Sequence, residues 1–159
     1  MGALNSAKMV RPFLKWAGGK RQLLPVIKAL LPQQIKNYNY VEPFIGAGAL
    51  LFELQPQNAI INDSNSQLIT AYNAIKNDID ELIELLNVHQ KNNTKDYYYE
   101  IRSQDRDSTF FSKLSDVEKA ARLIFMNKTC YNGLYRVNSK GLFNVPYGKY
   151  KNPKICEEN

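Results

Sequence analysis

Val41-Glu42-Pro43-Phe44-Ile45-Gly46-Ala47-Gly48-Ala49-Leu50 decides the reading of this chain. Tyr38 to Phe44 reads as a short strand running into a turn with two glycines. Ala47 to Leu54 then has helical character, with Pro56 as its stop. Ala59-Ile60-Ile61-Asn62 reads as a second strand closing on Asp63. Strand, helix and strand in this order predict a parallel pairing with helical cover, an α/β arrangement. Glycines let the backbone approach a ligand. Asp63, 21 residues after Glu42, stands where a carboxylate accepts hydrogen bonds from ribose hydroxyls. The third glycine of a dinucleotide fingerprint is missing and no Gly-Lys-Ser/Thr occurs, so a mononucleoside cofactor fits better than a dinucleotide or ATP. A plain tight turn between strand and helix uses the same glycines, and that reading stays open at this level.

Upstream, Phe13-Leu14-Lys15-Trp16-Ala17-Gly18-Gly19-Lys20 brings a tryptophan and a lysine to a position from which they could close over such a ligand. An indole packs on apolar or cationic groups, and a lysine neutralises a carboxylate. A core indole and a surface lysine are the bland alternatives. Gly19 to Leu31 continues as a helix with Leu23, Leu24, Ile27 and Leu30 on one stripe, ended by Pro32.

The texture changes between Ile75 and Asp80. Leu68 to Ile75 is helical, and Ile79, Leu82, Ile83, Leu85 and Leu86 form a new apolar stripe with Asp80, Glu81 and Glu84 on its wet side. Tyr97 to Ser103 and Val117 to Met126 suggest two more helices, the second opened by a capping box of Ser115 and Glu118. Asn132-Gly133 breaks the pattern, and Val137-Asn138-Ser139-Lys140-Gly141-Leu142-Phe143 reads as a hairpin with a polar turn. Lys119, Arg122, Lys128, Arg136, Lys140, Lys149, Lys151 and Lys154 fall in a window without Asp or Glu. Phe125, Tyr131, Tyr135, Phe143, Tyr147 and Tyr150 interleave with them. Basic residues alternating with aromatics in an acid-free stretch point to nucleic-acid contact.

The chain has 159 residues, 44% of them apolar, and a net charge of +6, which fits one domain or two small lobes. No run is long and apolar enough to span a membrane as a helix. Met1-Gly2-Ala3-Leu4-Asn5-Ser6 fits a myristoylation pattern only formally, without a second membrane signal. Cys130 and Cys156 lack metal-like spacing, so reduced thiols and a cytoplasmic location are expected. His89 is expected to be a solvated helix residue rather than a ligand.

The stretch Phe13 to Lys20, the stretch Glu42 to Gly48, and Ile61-Asn62-Asp63 resemble three S-adenosylmethionine-binding motifs of Dam-type DNA adenine-N6 methyltransferases. Asn132-Gly133-Leu134-Tyr135-Arg136-Val137-Asn138, with Gly141-Leu142-Phe143-Asn144-Val145-Pro146-Tyr147-Gly148, resembles the target-recognition hairpin of that family. The motifs occur in the family's order over nearly the whole chain. The resemblance implies an α/β fold: part of a Rossmann-like methyltransferase sheet in residues 1–76, then a helical recognition domain with a β-hairpin in residues 77–155. It implies S-adenosylmethionine as cofactor, double-stranded DNA as partner, GATC as target and no metal. Trp16, Lys20 and Asp63 would be cofactor residues, with Phe44 and Gly46 shaping the pocket. Lys15 would contact an outer guanine, Tyr131 would wedge into the duplex, and Arg136 would read a guanine. Asn132 falls in the same DNA-binding turn, and Leu134 and Pro146 would touch base edges.

The family's catalytic Asp/Asn-Pro-Pro-Tyr/Trp motif is absent, since no two prolines are adjacent. No residue of this chain is therefore assigned as the catalytic group. The chain is read as the N-terminal portion of a methyltransferase, inactive alone. The Val41 to Phe44 strand is then expected to leave one edge unpaired, inviting self-association or the missing half. Two rival readings remain: a non-catalytic DNA- or cofactor-binding fragment, and an adenine methylase with a different target.

Overall fold

The computed structural model describes residues 10–35 and 38–156; the Met1–Ser6 pattern lies outside them. Helix α1 (Leu24–Leu30) follows a 3-10 turn at Lys20–Leu23. The strands are β1 (Tyr40–Glu42) and β2 (Ala59–Ile61), with α2 (Ala49–Leu54) between them. They pair in parallel, Tyr40 beside Ala59 and Glu42 beside Ile61. Two further bonds prolong the ladder, Asn62 N donating to Glu42 O and Ile45 N to Asn62 O, both at 2.9 Å. The parallel strand–helix–strand unit appears as the sequence indicates. Among the described residues the sheet has only these two strands.

The rest is helical: α3 (Ser66–Asn77), α4 (Ile79–Lys91), α5 (Lys95–Ser103), α6 (Ser108–Lys113) and α7 (Asp116–Thr129). Their starts are set by side chains that accept orphan amides: Asn65 for α3, Thr94 for α5, Asp107 for α6, and a complete Ser115–Glu118 capping box for α7. Helix α7 is buried on nearly every side, which marks it as the central element. It packs against α3, α4 and α5. Ala120 and Ala121 of α7 and Ala71 and Ala74 of α3 are buried small side chains of the kind that let helix backbones approach closely. Leu14 and Ile45 join the same apolar cluster as Phe125, Phe143 and Ile155, so one core runs from the strand unit into the helical part.

Cover is uneven. The expected apolar stripe of α1 is only half covered: Leu24 and Ile27 are half-buried, while Leu23 and Leu30 are exposed, as are Val41 and Ile60 on the strands. His89 departs from the expectation of a solvated side chain. It is half-buried, stacked on Phe125 at 4.8 Å and hydrogen-bonded to Tyr97 Oη at 2.8 Å. The apolar face of α4 turns it inward toward α7. The hairpin is slighter than its sequence suggests: Val137 and Phe143 form one antiparallel bridge, with the turn held by the Asn138 side chain on Lys140 N and Leu142 N.

Candidate functional site

Three separated stretches line one cavity of about 280 Å³: Trp16 to Lys20, Phe44 to Ala47 with Ala49, and Asp63. Trp16, Lys20, Phe44, Gly46 and Asp63 thus all meet, though they lie up to 47 positions apart in sequence. Each side of the cavity has a local cause. Asp63 follows β2 and is fixed by two amides, Gly46 N on Oδ2 and Asn65 N on Oδ1, both at 3.0 Å. A carboxylate oxygen has more than one lone pair, so both atoms can still accept from a ligand. Gly46 and Gly48 adopt left-handed φ of 52° and 72°. At Gly48 a Cβ would lie 2.6 Å from Tyr72 Oη, so this turn has room only for glycine. Tyr72 donates to Gly46 O at 3.1 Å and braces the turn from α3.

Lys20 also lines the cavity. Its ammonium donates to Glu42 Oε1 at 3.0 Å and to Phe44 O at 2.6 Å. Glu42 is buried at the end of β1 and also accepts from Tyr40 Oη. Burial and this carboxylate raise the Tyr40 phenol well above its ordinary value. Tyr72 is raised in the same way, chiefly by burial and then by Glu42 and Asp63. The phenols therefore stay neutral donors near neutral pH. The cavity presents one cation, the carboxylate of Asp63, a half-buried indole and the exposed ring of Phe44, with Glu42 behind Lys20. That set suits a zwitterionic ligand with a hydroxyl-bearing sugar.

A second group of residues lies on an exposed face. Lys15, Tyr131, Asn132, Leu134, Arg136 and Pro146 are all exposed. Tyr131 N donates to Pro146 O at 2.9 Å, which joins the turn after α7 to the strand end of the hairpin. Asn127 on α7 holds this turn to the Lys15 segment. Its Oδ1 accepts from Lys15 N at 2.9 Å, and its Nδ2 donates to Lys15 O at 2.8 Å and Gly133 O at 2.9 Å. Lys15 Nζ rests 5.1 Å over the Tyr150 ring. Arg136 Nε donates to Asn144 Oδ1 across the hairpin at 2.8 Å.

Residues 16–159 match the family model for D12 class N6 adenine-specific DNA methyltransferases. The chain belongs to that family. It is 57% identical over 159 residues to the Type II methyltransferase M1.LlaDCHI of Lactococcus lactis subsp. cremoris, covering 99% of this chain and 55% of that protein. The Type II methyltransferase M.MjaIII of Methanocaldococcus jannaschii is 47% identical over 163 residues, covering 94% and 56%. The DNA adenine methylase of Escherichia coli K12 is 40% identical over 153 residues, covering 94% and 52%. The chain spans about half the length of these relatives.

In this methyltransferase chain the geometry adds residues that sequence reasoning missed. Glu42 is in the quoted motif, yet nothing in its spacing marks it as the partner of Lys20. Asn127 and Tyr72 were equally hidden. A polar residue inside the apolar run of α7 was the one available signal for Asn127.

Proposed function

We propose that this chain holds S-adenosylmethionine and reads double-stranded DNA for methylation of adenine N6, with GATC as the target and the cytoplasm as the place of action. The observation that carries the reading is the convergence of Trp16, Lys20, Phe44, Gly46 and Asp63 on one cavity. Asp63 would accept from the ribose hydroxyls, Lys20 would exchange part of its bond to Glu42 for the ligand carboxylate, and Trp16 and Phe44 would pack on its apolar and cationic parts. When bound, the cofactor supplies an activated methyl group on a sulfonium. Residues 1–76 form the cofactor part and residues 77–155 the recognition part.

On the exposed face, Arg136 carries a planar fork that suits guanine O6 and N7. Tyr131 stands free as a wedge, with Lys15, Asn132, Leu134 and Pro146 beside it as contacts to the duplex. The group that handles the adenine amino group lies outside these 159 residues, in keeping with the absence of an adjacent proline pair. We further propose that the exposed apolar faces of β1, β2 and α1 are covered by the rest of the methyltransferase sheet. Two of the relatives are named Type II methyltransferases and one a DNA adenine methylase; methyl transfer is common to both names, and adenine as the target is supported by the third name and by the family model.

Titration calorimetry with S-adenosylmethionine on the chain, on Lys20→Ala and on Asp63→Ala tests the pocket. Saturable heat in the chain and loss in both variants is expected. Undiminished binding in both would overturn it.

A further inference from the structure

The hairpin has a single bridge pair and is too slight to hold its own shape. Its returning strand is instead gripped by side chains of α5 and the 3-10 turn at Gln104–Arg106. Phe143 N donates to Asp105 Oδ2 at 2.9 Å, and Arg106 donates to Phe143 O. Two residues on, Val145 O accepts from Tyr98 Oη at 2.9 Å and from Arg102 at 3.2 Å. Between these anchors sits Asn144, whose Oδ1 accepts from Arg136 Nε and whose backbone N donates to Arg136 O at 3.1 Å.

Asp105 is itself tightly determined. Its side chain is 6% exposed, and it pairs with Arg106 and, at 3.0 Å, with the fully buried guanidinium of Arg122. Arg122 also donates to the carbonyls of Ile101 and Arg102, each at 3.0 Å. One of its terminal nitrogens has no hydrogen-bond partner among the described residues, so the carboxylate is the only anion answering its charge there. A buried pair of this kind is a weak source of stability, and its best-attested use is fixing one arrangement over others. The line of contacts runs from Arg122 to Asp105, to the Phe143 amide, to Asn144 and to Arg136.

We propose that Asp105 is a positioning residue which, through Phe143 and Asn144, sets the aim of Arg136 and so tunes base discrimination without touching DNA. This rests on the reading of Arg136 as the guanine contact. Two variants separate positioning from folding. Asp105→Glu keeps the charge facing Arg122 but displaces the acceptor of Phe143 N. Asp105→Leu with Arg122→Met removes the pair without leaving a lone buried charge.

The measurement is fluorescence anisotropy with a GATC duplex and duplexes carrying adenine for guanine, beside Arg136→Ala. Amide exchange at Asn144 and calorimetry with S-adenosylmethionine are run on the same proteins. Both Asp105 variants should lose roughly tenfold in the preference for GATC, the scale of one base contact. Asn144 should exchange faster, while affinity for unrelated DNA and for the cofactor stays unchanged. If Arg136→Ala loses the preference but either folded Asp105 variant keeps it, the positioning role is overturned and the reading of Arg136 survives. If Arg136→Ala keeps the preference, both fall together. If neither Asp105 variant folds, the pair is a stability element and the proposal is overturned as well.

Discussion

Trp16 stacks on Tyr135 with ring centroids 4.7 Å apart and planes 26° from parallel. One ring lines the cavity, and the other belongs to a half-buried residue between Leu134 and Arg136 in sequence, two residues of the proposed DNA contact. The two regions therefore share an aromatic contact, backed by Asn127 bridging Lys15 to Gly133. Linkage between sites requires a physical element that both can bias, and this stack is in place to serve as one.

Tyr135→Ala should therefore weaken cofactor binding although Tyr135 does not line the cavity. An aromatic pair contributes about 0.5–1.5 kcal/mol, or roughly 2–10-fold in affinity if the indole must be reordered by the ligand. Tyr135→Phe should leave binding intact. Trp16 is the only tryptophan of the chain, so its emission reports the change directly. Equal affinities and unshifted emission in Tyr135→Ala would show the stack to be passive.

Asn127→Ala should cost about 2–4 kcal/mol, because it leaves Lys15 N and the carbonyls of Lys15 and Gly133 without their partner in a part-buried site. Asn127→Asp should be no better, since a carboxylate cannot donate to either carbonyl. Urea unfolding measures both. A loss below about 0.5 kcal/mol in the alanine variant would mean water takes over these groups.

What the sequence disclosed and what it hid follow one rule. Periodicity, caps and turn residues are local, so the parallel strand unit, the capping box at Ser115 and the break at Asn132-Gly133 were readable. Asn132 indeed takes a left-handed φ of 56°. The motifs also named five of the residues that line the cavity, Trp16, Lys20, Phe44, Gly46 and Asp63. Contacts across long separations leave no local trace. The Lys20–Glu42 pair, the Trp16–Tyr135 stack and the Asp105–Arg122 pair join residues 17 to 119 positions apart. His89 was misjudged for the same reason, since its burial is set by Phe125 on another helix.

Gly48→Ala should be strongly destabilising, for two separable reasons. Its φ of 72° strains any side chain, at about 1–2 kcal/mol. A Cβ would also lie 2.6 Å from Tyr72 Oη and 2.9 Å from Phe52 Cε2. Adding Tyr72→Phe removes the hydroxyl and should recover part of the loss. A double-mutant cycle in thermal unfolding reads the coupling; strict additivity would place the clash elsewhere.

Acid should loosen α4 through His89. Burial lowers its imidazole from the ordinary 6.5 to about 4. The neutral ring stacks on Phe125, and charging it there is unfavourable. Above the unfolded value neither state binds the proton, and this residue gives no pH dependence. As pH falls from 6.5 toward 4 the unfolded chain binds a proton that the folded chain refuses, so stability drops by at most about 1.4 kcal/mol per pH unit. Below the folded value the slope vanishes again. His89→Gln loses the stack at every pH but titrates nowhere in this window. Urea unfolding of both proteins should therefore give curves with a constant gap above about pH 7 that close between 6.5 and 4. Parallel curves throughout would mean that the ring takes up its proton as readily in the folded chain as in the unfolded one.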